Sequence, residues 1–295
     1  MATVHALKIF QDVYKTHSIT EAARSLYITQ PAVTRAIQDL EKEYSVRLFE
    51  RYHRRLIPTA AADRLYSYSS QIVASMEEMD KMFSQEDYQT KIRIGATLTI
   101  GTFLMASIHQ RFQKEHPDSR MEVTILNGSA LQDDLLNNTL DLALIEDSIH
   151  EVDLNAVPFY HDEMILLLPT KHALAEKKQI ELSDISNYPF LMREKGSAGR
   201  EYIDELFTKN NIQISPLWQS ASTDALINAV EAGIGITILP SSLCEEALKK
   251  KEIITRPIAH QKLKRTFYVV MHKQKYITPE LTDVLNICKN ISDKE

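Results

Sequence analysis

The sequence predicts an α+β multidomain chain: a small helical head closed by a β-hairpin, one long linking helix, and a two-lobed α/β body. Three observations carry that expectation. Two helix-start signals, at Ser18 and Thr29, lie eleven residues apart near the N-terminus. Residues 59 to about 88 contain neither Gly nor Pro. All seven glycines, from Gly95 to Gly235, fall after residue 90, where apolar strands alternate with amphipathic helices. At 295 residues the chain is also long for a single core.

In the head, Ser18 followed by Glu21 reads as a capping box, the hydroxyl accepting a free backbone N–H and the carboxylate reaching back. Thr29 is placed to cap a second helix, with Pro31 tolerated in its first turn. Between the two helices Tyr27 and Ile28 leave room only for a tight turn, which sets one helix across the other. Val33, Ile37 and Leu40 repeat at helical spacing and are expected to meet Leu7, Phe10, Val13, Ala22, Ala23 and Leu26 in a small core. Gln30, Pro31, Thr34, Arg35 and Gln38 fall on the opposite face. Any solvated helix face is polar, but these side chains offer directed donors and acceptors suited to base edges in a DNA major groove.

Residues 46–58 alternate apolar and basic side chains, the pattern of a short two-stranded wing. It would place Arg51, Arg54 and Arg55 beside phosphates. Surface solubility alone would also use arginine, but the charge distribution is uneven. Residues 1–58 hold nine Lys/Arg against six Asp/Glu, a net of +3, whereas the remainder holds 25 against 34, a net of −9. A basic head on an acidic body points to a polyanionic partner for the head alone. The head therefore reads as a winged helix-turn-helix.

These residues resemble the LysR-type transcriptional regulators. The match runs through Leu7, Phe10, Val13, Ser18, Ala22, Ala23, Leu26, Gln30 to Val33, Ile37, Leu40, Glu41, Leu48, Phe49, Arg51, Pro58 and Thr59. Three positions depart from the family pattern. Thr34 stands in place of Ser and keeps the hydroxyl; Ser45 replaces a turn Gly, which puts a left-handed turn there in question. Ala62 replaces a Gly inside the following helix and favours it by about 1 kcal/mol. The resemblance implies a C-terminal effector-binding domain, effectors held between its lobes with the first Thr cluster touching them, and assembly into dimers and tetramers.

The long helix is expected to be capped by Thr59. Leu65, Ile72, Met76, Met79 and Phe83 step along it by 7, 4, 3 and 4, a coiled-coil-like seam. That seam could pack on the chain's own body; homodimerisation is favoured because a helix-turn-helix commonly reads paired half-sites. The expected domains are 1–58, 59–90 with a hinge at its end, and 91–295. The last divides into lobe I (91–162 plus 266–295) and lobe II (163–265).

After the hinge the pattern is strand at 92–96, helix at 100–115, strand at 121–126, helix at 131–137 and strand at 140–145, a βαβ series that predicts a parallel sheet. A second cluster follows between Met164 and Leu263, with apolar segments at 190–192 and 236–238 and helices at 197–209 and 223–232. Strand 266–271 and helix 279–291 return to the first lobe. Two α/β lobes joined by two crossing strands resemble a periplasmic-binding-protein fold, which the family uses as its effector domain.

Ligands of open α/β sheets sit at the carboxyl ends of strands, beside helix N-termini. That rule selects Thr97, Thr99 and Ile100 after the first strand, Ser129 after the second and Glu146 after the third. From the other lobe it selects Arg193, Ser197 and Thr223. Hydroxyls, amides and an arginine suit a carboxylate or other small anion. The same Ser and Thr residues, with Ser222, would serve equally as helix caps. Glu146 calls for a donor on the ligand or for a pairing with Arg193.

Gly233-Ile234-Gly235 precedes a strand and reads as a helix stop, not a dinucleotide loop. His161-Asp162-Glu163 reads as a surface cluster, because neighbours diverge in a strand. No catalytic constellation, cofactor motif or metal set is recognised, so neither an enzyme nor a cofactor is expected. Cys244 and Cys288 are too few for a disulfide framework, no secretory signal or apolar run of ~20 residues is present, and a cytoplasmic protein away from membranes is expected. The sequence thus points to a regulator binding double-stranded DNA at a pseudo-palindromic site and a small anionic effector, as a homodimer or homotetramer that contacts RNA polymerase. A constitutive DNA-binding regulator or a solute-binding α/β module are the alternatives.

Overall fold

The computed structural model describes residues 2–52, 55–83, 90–146, 149 and 151–292. The chain divides into two compact units, one built chiefly on the residues up to 83 and the other on those from 90 onward.

The first unit contains α1 (Val4–Thr16), α2 (Ile19–Ser25), α3 (Gln30–Tyr44), β1 (Phe49–Tyr52), β2 (Arg55–Pro58) and α4 (Ala60–Phe83). Ser18 Oγ accepts from Glu21 N at 3.3 Å and starts α2, though no return bond from the Glu21 carboxylate forms among the described residues. Thr29 differs from expectation, for its side chain makes no cap bond. Of the two positions a cap hydroxyl serves, one is Pro31, which has no N–H, and the other, Ala32 N, donates to the Thr29 carbonyl. The chain turns between α2 and α3 at Tyr27 (φ 56°). Ser45 (φ 53°, ψ 39°) takes the left-handed conformation that glycine usually supplies, at a cost of about 1–2 kcal/mol.

Phe10, Val13, Ala22, Val33, Leu40 and Leu48 fill the head core, with Leu26 only partly buried at its edge. Thr59 Oγ1 accepts from Ala62 N, so the expected cap of α4 forms. The helix is fastened to α1 where Tyr14 stacks on Tyr66 (centroids 4.2 Å) and donates to Asp63 Oδ1 at 2.7 Å. Burial and that carboxylate raise the Tyr14 pKa. Ala62 is wholly buried. Residues 84–89, which include most of the expected hinge, lie outside the described residues.

The second unit runs β3 (Lys91–Ala96), α5 (Leu98–Phe103), α6 (Met105–Glu115), β4 (Arg120–Ile125), α7 (Gly128–Leu136), β5 (Leu142–Glu146) and β6 (Leu154–Pro169). It continues with α8 (Leu182–Ile185), β7 (Leu191–Arg193), α9 (Ala198–Lys209), β8 (Trp218–Ser220), α10 (Thr223–Glu231), β9 (Thr237–Pro240) and α11 (Ser241–Lys250). It closes with β10 (Ile253–Arg256), β11 (Lys264–His272) and α12 (Pro279–Ser292).

Seven strands form one sheet in the order β10-β6-β11-β5-β3-β4, with β9 also on β6, and β7-β8 form a separate parallel pair. The parallel sheet expected for the βαβ series forms as β4-β3-β5, whereas β11, from outside that series, is antiparallel to both β5 and β6. The reason is connectivity: the chain crosses from lobe I to lobe II once on β6 and returns once on β11, and an outward and a return strand must oppose. The 16-residue β6 pairs with β11 along its first part and with β9 and β10 along its last, so the expected lobe boundary at 162/163 falls inside one continuous strand. The single helix expected at 100–115 is two, broken at Leu104. Gly101 lets α5 pass close over β4, since a Cβ there would lie 2.7 Å from the Ile125 side chain. Separate apolar clusters, around Ile94, Phe112 and Phe267 in lobe I and around Phe190, Ile203 and Ile236 in lobe II, leave a cleft between them.

Candidate functional site

Two surfaces carry the polar chemistry, one in each unit. On α3 the apolar stripe Val33, Ile37 and Leu40 is buried, and Gln30, Pro31, Arg35 and Gln38 are exposed, with Thr34 half-exposed. Arg35 keeps 85% of its side chain in solvent and, among the described residues, makes a single ion-pair approach, at 4.0 Å, to Asp39 one turn on. Such an exposed pair contributes little and leaves the guanidinium available. Glu41 Oε1 accepts from Leu48 N (2.8 Å) and Phe49 N (3.3 Å), fixing the start of the wing to the end of α3. In the wing, β1 and β2 pair antiparallel and Arg51 is exposed. Arg54 and the Arg55 side chain lie outside the described residues. Tyr27, 96% exposed at the turn leading into α3, is a polar-tipped ring on the same head that sequence reasoning passed over.

Along α4, Ile72, Met76 and Met79 are exposed with Tyr68, whereas Leu65 packs against the head core and so belongs to that core rather than to a free seam. The Phe83 side chain lies outside the described residues.

In the second unit a cavity of about 230 Å³ lies between the lobes. Thr97, Thr99, Glu146, Arg193 and Ser197 line it, as the strand-end rule anticipates. Three candidates do not. Ile100 is fully buried in the lobe I core, because it faces inward on α5. Ser129 is exposed and donates to Asn127 Oδ1 at the start of α7. Thr223 is buried and accepts from Arg193 Nη1 at 3.3 Å, so it touches the site only through that arginine.

The cap reading and the ligand reading separate by residue. Ser197 and Ser222 cap α9 and α10 through Arg200 N and Ala225 N. Thr97 Oγ1 caps nothing and is buried without a hydrogen-bond partner among the described residues. Glu146 does not pair with Arg193: its Oε2 lies 3.2 Å from Arg265 Nη1, and Arg193 instead forms two bonds to Glu194 (2.8 and 2.9 Å). Asp162 is not a surface residue. It is buried on β6, where Oδ2 accepts from Arg265 Nε (2.9 Å) and Nη2 (2.7 Å), while its neighbours His161 and Glu163 are exposed. Arg265 Nη1 is within ion-pair distance of Glu146 Oε2 but does not hydrogen-bond to it, and among the described residues neither that nitrogen nor Glu146 Oε1 has a hydrogen-bond partner.

Sequence reasoning missed Arg265 and Asp162, although a signal exists. Arg265, Phe267, Val269 and Met271 alternate along β11 on one face, and a charge in that inward register needs a buried partner. Gly233 (φ 73°) ends α10, as the helix-stop reading requires.

The order of parts, a winged helix-turn-helix followed by a two-lobed cleft-bearing unit, is matched in comparisons with known proteins. Residues 4–63 match the bacterial regulatory helix-turn-helix proteins of the lysR family, and residues 85–292 match the LysR substrate binding domain. The chain belongs to the LysR family of transcriptional regulators. It is an effector-responsive DNA-binding regulator. The transcriptional regulator CysL of Bacillus subtilis is 31% identical over 261 residues, covering 88% of this chain and 87% of CysL. Among solved structures, a full-length OxyR of Pseudomonas aeruginosa superposes with a TM-score of 0.66 at 19% identity, covering 98% and 97% of the two chains. The regulatory domain of Synechocystis CcmR, in complex with 2-PG, gives 0.65 at 23% identity over 70% of this regulator and 99% of that chain. Among the described residues, no helix is long and apolar enough to cross a membrane.

Proposed function

We propose that this LysR-family regulator binds a pseudo-palindromic promoter site as a homodimer or homotetramer and acts in the cytoplasm, without catalysis of its own. The domains are 1–58 for DNA, 59–90 for dimerisation and 91–295 for the effector. Gln30, Pro31, Thr34, Arg35 and Gln38 face base edges, and Arg51, Arg54 and Arg55 meet phosphates. Ile72, Met76 and Met79 join two chains so that the paired α3 helices enter successive major grooves about 34 Å apart. Thr97, Thr99, Glu146, Arg193 and Ser197 surround a small effector with an anionic group, and the structurally similar CcmR regulatory domain is known in complex with 2-PG. The effector acts by binding one arrangement of the oligomer better than another, and so alters contacts with DNA and RNA polymerase.

The observation that carries the reading is the division of α3 into a fully buried apolar stripe and an exposed polar face. Selection of bound fragments from the host genome, followed by footprinting across a salt series, tests it. Protection of two inverted half-sites one helical turn apart is expected. Fragments bound without sequence preference, or protection of one isolated half-site, would overturn it.

A further inference from the structure

We infer that the effector is a small zwitterion, a molecule carrying both a protonated amine and a carboxylate, with the amine against Glu146 and the carboxylate against the start of α9. This rests on reading the interlobe cleft as the effector site. The cleft floor sets the first requirement. One guanidinium, Arg265, stands among two carboxylates, Asp162 and Glu146, and all three side chains are at most 4% exposed. Asp162 takes two hydrogen bonds from Arg265, whereas Glu146 Oε1 takes none. The floor thus sets one guanidinium against two carboxyl groups, and Glu146, which lines the cavity, keeps one buried acceptor without a hydrogen bond among the described residues. A donor on the ligand would satisfy that oxygen, a protonated amine would do so while matching the acidic side chain, and a wholly anionic ligand would bring like charge to it.

The facing wall sets the second. The 12-residue helix α9 begins at the cavity with Ala198 and Gly199, whose backbone N–H groups have no partner among the described residues, because Ser197 Oγ serves Arg200 N instead. Free amides at a helix start attract an anion. The neighbouring guanidiniums are already engaged, Arg193 by Glu194 and Arg200 by Asp204 and Gln219. A carboxylate is an anion that two free amides at a helix start can hold. Thr97 lines the same cavity, and its buried hydroxyl, without a partner among the described residues, can donate or accept. At about 230 Å³ the cavity lies below the range that accepts drug-sized ligands.

The test uses the full-length protein and three matched panels: the proteinogenic amino acids, their 2-hydroxy-acid counterparts such as L-lactate for L-alanine, and their decarboxylated amines such as ethylamine. Thermal shift reads affinity, and deuterium exchange at 97–101 and 197–203 reads whether the cleft is the place of binding. At least one amino acid is expected to bind and protect both segments, with its hydroxy-acid and amine counterparts at least tenfold weaker. Glu146→Gln, isosteric and with the fold checked by circular dichroism, is expected to weaken that amino acid tenfold or more while leaving its hydroxy acid little changed. A hydroxy acid that protects the same segments as strongly on the wild-type protein overturns the zwitterion but leaves the cleft reading standing. Protection elsewhere overturns both. Silence of all three panels overturns the zwitterion, and dicarboxylates and sugar phosphates read by the same exchange segments then decide the cleft.

Discussion

Arg265 and Asp162 sit directly opposite each other on antiparallel β11 and β6, and one carboxylate oxygen of Asp162 receives both Nε and Nη2 of the guanidinium. The pair ties together the two strands that cross between lobes. Arg265 also lies over the Phe267 ring at 5.3 Å. Arg265→Met would strand two buried carboxylates, and a loss of about 3–5 kcal/mol is expected in urea unfolding. Adding Asp162→Asn should recover part of it. A single variant within about 1 kcal/mol of the parent would show that the pair does not hold the crossing.

The wing depends on Glu41. Its carboxylate is the acceptor for two backbone N–H groups, Leu48 and Phe49, at the entry to β1. Glu41→Ala is expected to cost about 1.5–3 kcal/mol, the worth of bonds to a charged group. The head transition in a thermal melt reads it, and DNA affinity should fall with it.

Arg35 and Arg51 should behave differently. Arg35→Ala is expected to lose about 1–3 kcal/mol of preference between operator and random DNA, if it reads a guanine. Arg51→Ala should weaken all DNA alike and flatten the salt slope by about one. Titration of both sequences at several salt concentrations separates the two effects. Identical behaviour of the two variants would sink the assignment of bases to α3 and phosphates to the wing.

The exposed stripe on α4 predicts an assembly defect. Ile72 is 50% exposed and Met76 37%, an apolar surface one helix cannot cover by itself. Met76→Glu should shift sedimentation toward the monomer and abolish cooperative half-site occupancy, with the head fold intact. An unchanged sedimentation coefficient would move the dimer contact elsewhere.

His172 predicts a pH dependence in lobe II. Burial lowers its pKa, and its neutral Nδ1 accepts from Leu174 N at 3.2 Å. The unfolded chain therefore takes up a proton near the ordinary histidine value, before the native state does. Stability from this group is present above that value and declines as pH falls through and below it. Melting curves between pH 8 and 5 should show the decline, and His172→Gln should flatten it.

What was legible in the sequence was local. Capping at Ser18 and Thr59, the apolar stripe of α3, the alternating wing and the strand ends at Thr97 and Glu146 all follow from short-range periodicity and backbone chemistry, which a linear chain displays. The family pattern in residues 7–59 added the order of the domains. Thr29 is the local exception, because the missing N–H of Pro31 cancels a cap that its residue type suggests.

Pairing across long separations was decided only by the tertiary structure. Ile100 and Thr99 are adjacent in sequence, yet one fills a core and the other lines the cleft, since a helix turns successive side chains by about 100°. Glu146 reads alone as a partner for Arg193 or for a ligand donor; the register of β11 against β6 and β5 brings Arg265 to it from 119 positions away and leaves Arg193 to its own neighbour Glu194. Composition and spacing thus determined which segments form and which faces are polar. The electrostatics of the cleft were determined by strand register, because a buried charge is defined by what the fold sets against it.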